Sequence, residues 1–272
     1  MTATPPTLCA RCAPQARMSA SAFAYAQARL QARHGQRPDQ RLWRRLQGIG
    51  ELSHYLQVAR RSVLQRWVAG LQPRENSHQI ELSLRRQLRA YVDEVAGWLP
   101  GQWRVPIGWT KRLADLAAIQ HLLSEAEVPD WMRADPALAP FVAATFAERR
   151  AAMLASDCAC LAQHWNPSVP LYQTWRECWE PMWPHAPHLA AGLRQLAALH
   201  ASQKGAVLAG VVDVSGQRRT ALQAGYERAF RRRAFQPAAA FAHLGLVALD
   251  VQRLRGGILR RLLFDATPEA QA

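Results

Sequence analysis

The stretch that most constrains the fold is Phe241–Phe264, FAHLGLVALDVQRLRGGILRRLLF, which contains no proline. Its apolar residues recur at steps of three or four, the spacing that places side chains on one face of an α-helix. At a rise of ~1.5 Å per residue the segment would be roughly 35 Å long. We therefore expect a long amphipathic helix against which shorter helices pack. Its apolar stripe consists of Leu244, Val247, Val251, Leu254, Ile258 and Leu262.

A second apolar stripe runs from Ile80 to Leu99, and Ser77 is the expected N-cap of its helix. The chain is 49% hydrophobic, and it is rich in Ala, Leu, Arg and Gln. It has no long run in which apolar and polar residues alternate, as they would in a strand. The predicted fold class is therefore all-α, built from many helices. The side chains of this second helix that we expect to face solvent are Arg85, Arg86 and Arg89.

Glycine, proline and capping residues predict where the other helices begin and end. The first helix opens near Ala22 and ends at Gly35, and the next begins at Pro38–Asp39. Asp135–Pro136 is an N-cap followed by a first-turn proline, which predicts a long helix to about His164. Pro237 begins the final helix.

The chain of 272 residues divides by composition into three parts. Residues 1–18 are predicted to be a disordered leader, residues 19–264 a helical domain and residues 265–272 a tail. The domain is predicted to have lobes at roughly 19–100, 101–185 and 186–264. Within the last lobe, Gly205–Gly216 suits either a short strand pair or a buried turn of helix. No apolar run has the length of a membrane span or of a signal-peptide core, so we expect a cytoplasmic protein.

The formal net charge of +14 suggests an acidic partner, either nucleic acid, lipid headgroups or an acidic protein. A bias in composition explains the charge equally well, because Lys111 and Lys204 are the only lysines and the remaining cations are arginines. The densest basic stretch lies just before the final helix. Its candidate partner-contact residues are Arg228, Arg231, Arg232 and Arg233.

Tryptophan and proline are concentrated between Trp165 and Pro187. Exposed aromatic side chains can stack on nucleobases. Buried, they fill the gap between helical lobes, and this second interpretation is the one we favour. The tryptophans in question are Trp165, Trp175, Trp179 and Trp183.

The sequence shows none of the motifs that mark common catalytic or nucleotide-binding sites, such as GxxxxGK[ST], GxGxxG, HExxH or GxSxG. We assign no catalytic residue, no cofactor and no metal ligand. Cys9 and Cys12 form a CxxC without a second ligand pair at zinc-site spacing. Five scattered cysteines predict no disulfide framework. The other three, Cys158, Cys160 and Cys178, are expected to be small buried apolar groups.

Four segments, in order along the chain, resemble the C/d subunit family of V-type and A-type ATPases. The first is an aromatic-Ala-Tyr-Ala-type helix, the second an Ile-Glu-x-x-Leu helix, the third a Trp followed by an Asn-Leu-type helix, and the fourth an acidic-x-x-x-Leu-Arg helix. The matching residues are Phe23, Tyr25, Ala26, Ala28 and Arg29; Ile80, Glu81 and Leu84; Trp109, Asp115 and Leu116; and Asp250, Leu254 and Arg255.

The resemblance implies a funnel-like, three-lobed array of antiparallel helices on the cytoplasmic face of a membrane. Such subunits are not catalytic and bind no nucleotide. They connect the central stalk to the membrane rotor ring and pass torque between them during ion transport. The expected partners are therefore the other rotary ATPase subunits and the membrane surface, with no specific nucleic acid.

This chain departs from the family pattern in being short, very basic and preceded by a cysteine-containing leader. The alternative function is a basic helical module that binds nucleic acid or an acidic protein. The arginine cluster at Arg228 and Arg231–Arg233 supports that alternative.

Overall fold

The structure is a computed structural model that describes residues 20–184, 187–208 and 215–264, with the backbone alone for 20, 187–188, 200–208 and 215–218. These residues form fourteen α-helices, four 3₁₀ turns and no strand, which confirms the all-α prediction for the described part of the chain. The helices are α1 Ala24–Gly35, α2 Gln40–Gln47, α3 Leu52–Arg60, α4 Gln65–Val68, α5 Ser77–Trp98, α6 Gly101–Trp109, α7 Leu116–Leu122, α8 Asp130–Ala134, α9 Phe146–Leu154, α10 Ala159–Gln163, α11 Leu171–Trp179, α12 Pro187–Leu208, α13 Ser215–Arg232 and α14 Pro237–Phe264. The 3₁₀ turns are Ala20–Phe23, Thr110–Ala114, Ala139–Phe141 and Glu180–Met182.

The final helix, α14, has 28 residues and is the central element of the fold. It packs against α13, α12, α5, α1, α3 and α6, so it contacts helices from all three predicted lobes. The division into lobes itself remains a prediction. Every side chain from Pro237 to Leu244 is buried, because neighbours surround this end of the helix on all sides. The predicted stripe is confirmed, since Leu244, Val247, Val251, Leu254 and Ile258 are buried and Leu262 is half-buried.

A glycine allows one of these helix contacts. A Cβ added to Gly245 would lie 2.6–2.8 Å from three ring atoms of Tyr226, a buried residue of α13. Contacts that short force a side chain or a helix to move. By contrast, a Cβ on Gly256, eleven residues further along α14, meets nothing within 4 Å.

We predict that Gly245→Ala lowers the free energy of unfolding by about 1–3 kcal/mol, because the core must shift to admit the methyl group. Gly256→Ala is the matched control in the same helix. This variant should raise the free energy of unfolding by about 0.5–1 kcal/mol, since alanine loses less backbone entropy than glycine on folding. Urea denaturation of both variants measures the difference. Equal effects at the two positions would contradict the close approach of Tyr226.

Several helix ends agree with the sequence analysis. α1 ends at Gly35, Asp39 caps α2 by accepting a hydrogen bond from the Leu42 amide at 2.7 Å, and α14 begins at Pro237. The predicted cap of α5 is wrong by one residue. Asn76 is the N-cap, and its side chain and that of Gln79 exchange hydrogen bonds with each other's backbone amides at 2.9 Å, which satisfies two amides that the helix leaves free.

The predicted long helix from Asp135 to about His164 is wrong. The structure has the turn Ala139–Phe141 followed by two separate helices, α9 and α10. Asp135 does not cap a helix, since its carboxylate accepts from the Ala137 amide and lies inside the protein. The next helix, α9, has Thr145 as its N-cap, which forms a capping box with Glu148. The side chains of Asp135 and Thr145 accept hydrogen bonds from nearby backbone amides. Such local bonds offer the backbone an alternative to one continuous helix.

Some predictions fall wholly or partly outside the described residues. These are the leader at 1–18 with Cys9 and Cys12, the tail at 265–272, and the centre of Gly205–Gly216 at 209–214. The described parts of that last segment belong to helices α12 and α13. Among the described helices, none combines the length and the apolar character that crossing a membrane requires.

Candidate functional site

Three of the four family-like segments lie on neighbouring helices, because α1, α5 and α14 pack against one another. Phe23, just before α1, and Ile80 and Leu254 are each buried. Glu81 of α5 and Arg255 of α14 form an ion pair, although they are 174 positions apart in sequence. The motif residues of two segments are therefore direct partners.

A second ion pair joins the start of the chain to the same helix. The Arg37 guanidinium, two residues beyond α1, donates to both carboxylate oxygens of Asp250, at 2.7 and 3.2 Å. Burial raises the pKa of Asp250, and the hydrogen bonds from Arg37 oppose that rise by favouring the charged form. Planar two-point contacts of this kind set the orientation of both groups. They hold α14 in register with the turn after α1.

The third family-like segment, which contains Asp115, contacts α5 through a buried charge cluster. Arg89 donates to Asp115 at 2.6 Å and to Asp135 at 2.8 Å, and both carboxylates are fully buried. Arg85, one turn earlier, lies 3.5 Å from Asp135 and 4.0 Å from Asp115. Burial raises the pKa of Asp115, while the two arginines act in the opposite direction. The cluster ties α5 to the loops before α7 and after α8.

This cluster corrects the sequence analysis. Arg85 is buried and Arg89 is half-buried, whereas Arg86 alone of the three is exposed. The stripe of α5 places residues 85 and 89 on one side, but only the tertiary structure brings acids there. The partners, Asp115 and Asp135, come from two different loops, and no local pattern links them to α5.

A cavity of about 400 Å³ opens between α5, α11, α12, α13 and α14. Its wall is mostly apolar, and its rim carries Glu81, Lys111 and Arg255. These rim charges are paired, Glu81 with Arg255 and Lys111 with Asp93. The cavity can therefore accept an apolar group more readily than a free ion. Aromatic side chains in its wall are Tyr172, Trp175, Trp179, Tyr226 and Phe241.

The tryptophan-rich segment packs inside the protein, so the predicted burial of its aromatic side chains is confirmed, while the lobes between which they were expected to lie stay a prediction. Trp175 and Trp179 are buried and stack with ring centroids 5.1 Å apart. Trp179 also meets Phe241 of α14 edge-on at 4.9 Å. Its indole N–H donates to the Pro106 carbonyl of α6 at 2.9 Å. Since these ring faces are covered by protein, they do not form a stacking platform for bases. Trp165 is half-buried against the same core.

The predicted contact residues Arg228 and Arg231–Arg233 lie together at the C-terminal end of α13. Arg228, Arg231 and Arg232 are exposed, and Arg233 is half-buried beside Gly192. Within the described residues, no carboxylate is close enough to pair with any of the four. Positive charge at this end of a helix also stabilises the helix itself, since the carbonyl end is partly negative. We name this group the arginine cluster.

A buried histidine lies in α14, the helix that packs against α1 and α5. His243 of α14 is fully buried, and its Nε2 is 2.7 Å from the Tyr91 hydroxyl. Burial, together with the nearby charges of His34, Arg37 and Arg33, lowers the pKa of His243 to about 3. The imidazole is therefore neutral in the folded protein at pH 7.

We predict that this histidine makes the fold sensitive to acid. In the unfolded chain the imidazole takes up a proton with a pKa of 6.5. In the folded protein its pKa is about 3, so it stays neutral to a much lower pH. Stability is therefore lost as the pH falls below 6.5, by roughly 1.4 kcal/mol per pH unit. Between pH 7 and pH 5, the free energy of unfolding of His243→Gln should fall by about 2 kcal/mol less than that of the parent protein. Urea titrations at several pH values measure it, and parallel pH profiles would contradict the assignment.

The cysteines depart from the sequence analysis. Cys158 is a buried free thiol, as expected for a small apolar group, and burial raises its pKa to about 11. Cys160 and Cys178 instead form a disulfide between α10 and α11, with Cα atoms 5.9 Å apart. The prediction of no disulfide was wrong because the turn between these helices brings together two residues that are 18 apart in sequence.

Comparison of the chain with protein-family models, with curated proteins and with solved structures finds no match.

Proposed function

We propose that the protein is a non-catalytic connector subunit of a rotary V- or A-type ATPase. In this role it lies on the cytoplasmic face of the membrane and couples the central stalk to the rotor ring during ion transport. It needs no nucleotide and no cofactor of its own. The observation that carries the proposal is the ion pair between Glu81 and Arg255, which joins two family-like segments that lie 174 positions apart in the sequence.

The way the helices are tied together supports this role. A connector that transmits torque must keep its helices in a constant relative position under load. Close-packed interiors deform little, and α14 packs against helices from along the whole described chain. The Arg37–Asp250 pair and the Arg89 cluster add contacts of defined direction between distant segments.

Co-purification from native membranes tests the proposal. The tagged full-length protein is expected to recover stalk and rotor-ring subunits of a rotary ATPase, identified by mass spectrometry. A variant with Arg228, Arg231, Arg232 and Arg233 changed to serine shows whether the arginine cluster forms part of that contact. Arg86→Ser and Arg150→Ser, at exposed positions elsewhere, are the controls for altered charge. Recovery of no ATPase subunit by the parent protein would overturn the proposal.

The exposed arginine cluster favours a second candidate function, a helical module that binds nucleic acid or an acidic protein. Arginines that neutralise phosphates release counterions, so affinity falls steeply with salt. For a connector, we expect only weak, non-specific binding to DNA or RNA, lost by about physiological ionic strength. Fluorescence anisotropy across a salt series measures this. Binding that stays tight at physiological ionic strength, falls steeply at higher salt and is lost in the four-serine variant would favour the second candidate.

A further inference from the structure

The turn between α10 and α11 gathers three potential metal ligands. Cys160 of α10 and His164, the residue that follows this helix, are four positions apart and lie on the same side, and Cys178 comes from α11. Their ligand atoms, two sulfurs and one imidazole nitrogen, all lie within 4.8 Å of one another. Within the described residues, this is the only group of three or more His, Cys, Asp or Glu side chains placed so closely.

The distances suit a small tetrahedral ion. Zinc binds thiolate sulfur at about 2.3 Å and imidazole nitrogen at about 2.0–2.1 Å. A tetrahedral centre then places its sulfur and nitrogen ligands about 3.6 Å apart and its two sulfurs about 3.8 Å apart. Cys160 Sγ and His164 Nδ1 are already 3.6 Å apart. The Cα atoms of the two cysteines, 5.9 Å apart, leave room for their sulfurs to take the wider spacing.

The site is accessible from the surface. Cys178 is buried, Cys160 is half-buried and His164 is exposed, so an ion can enter from the side of His164. His164 Nδ1 also lies 3.0 Å from the Cys160 carbonyl oxygen, to which an Nδ1–H would donate. Binding an ion at Nδ1 requires the tautomer that carries its proton on Nε2. The ion then replaces that hydrogen bond.

We propose that the reduced protein binds one Zn²⁺ through Cys160, Cys178 and His164, with water in the fourth position, and that the disulfide is the metal-free, oxidised state of the same site. A two-electron oxidant such as hydrogen peroxide converts the zinc-bound dithiolate state into the disulfide state. The two thiolates lose two electrons and form the sulfur–sulfur bond. The peroxide gains those electrons and two protons and becomes two water molecules, while Zn²⁺ is released. This property is independent of the proposed connector role.

The test uses a full-length Cys9→Ser, Cys12→Ser, Cys158→Ser background, so that Cys160 and Cys178 are the only thiols. After reduction and removal of reductant, Co²⁺ serves as a spectroscopic probe. We expect one equivalent to give a thiolate-to-cobalt charge-transfer band and the visible bands of a tetrahedral ion, and one equivalent of Zn²⁺ to abolish them. His164→Ala should weaken binding more than about 100-fold, beyond the effect of losing an outer-shell partner. His121→Ala, which changes a histidine of α7 outside the site, should leave it unchanged.

A second measurement does not depend on any substitution. In the reduced parent protein, Zn²⁺ should slow alkylation of Cys160 and Cys178, read peptide by peptide by mass spectrometry. One equivalent of peroxide should then release one Zn²⁺ and yield a peptide pair linked through these two residues. The proposal is overturned if the charge-transfer band and the zinc protection are both absent. It is overturned equally if zinc stays bound after the disulfide has formed.

Discussion

Arg89→Leu is expected to lower the free energy of unfolding by about 3–5 kcal/mol, because it leaves two buried carboxylates without their closest cation. Arg89 lies 2.6 Å from Asp115 and 2.8 Å from Asp135, whereas Arg85 is at least 3.5 Å from each. Arg85 alone therefore cannot replace its hydrogen bonds. Chemical denaturation followed by circular dichroism measures the loss.

Two further variants separate lost charge pairing from lost packing. Arg86→Leu changes an exposed arginine of the same helix and should alter stability by no more than about 0.5 kcal/mol. Adding Asp115→Asn and Asp135→Asn to Arg89→Leu should recover part of the loss, because neutral amides are less costly to bury than charges. If Arg89→Leu is no more harmful than Arg86→Leu, the buried cluster does not exist in solution.

Trp179→Ala is expected to cost about 3–5 kcal/mol of unfolding free energy, the usual range for removing a large buried aromatic side chain. Its ring packs against Trp175, Trp183 and Phe241, with centroids 4.9–5.1 Å away. Alanine would remove the contact between α11 and α14 and enlarge a cavity that is already present. Thermal and urea denaturation both report the change.

The graded variant Trp179→Phe should fall between the parent protein and alanine, since it keeps an aromatic ring but loses the hydrogen bond to the Pro106 carbonyl. Val105→Ala changes an exposed side chain of α6 and serves as the control, with an effect within about 0.5 kcal/mol. An alanine effect as small as that of Val105→Ala would restore the interpretation of the tryptophans as an exposed platform.

The sequence predicts those features of the candidate site that lie within a single helix. The arginine cluster lies at the end of α13 and is largely exposed, as a run of arginines before a proline indicates. The cavity and the buried charge cluster were not predicted. Their members come from separate helices and loops, such as Arg89 of α5 with Asp135 beyond α8, 46 positions away.

Local chemistry determined the all-helical character, the apolar stripe of α14, and the helix ends at Gly35, Asp39 and Pro237. Propensity, side-chain spacing and capping act within a few residues, so they are readable from the chain itself. Only the tertiary structure decided that Arg85 turns inward, that Asp135 pairs with Arg89 instead of capping a helix, and that Cys160 meets Cys178. Each of these depends on which distant segment packs alongside, because a buried charge or thiol takes its role from the partner that the fold supplies.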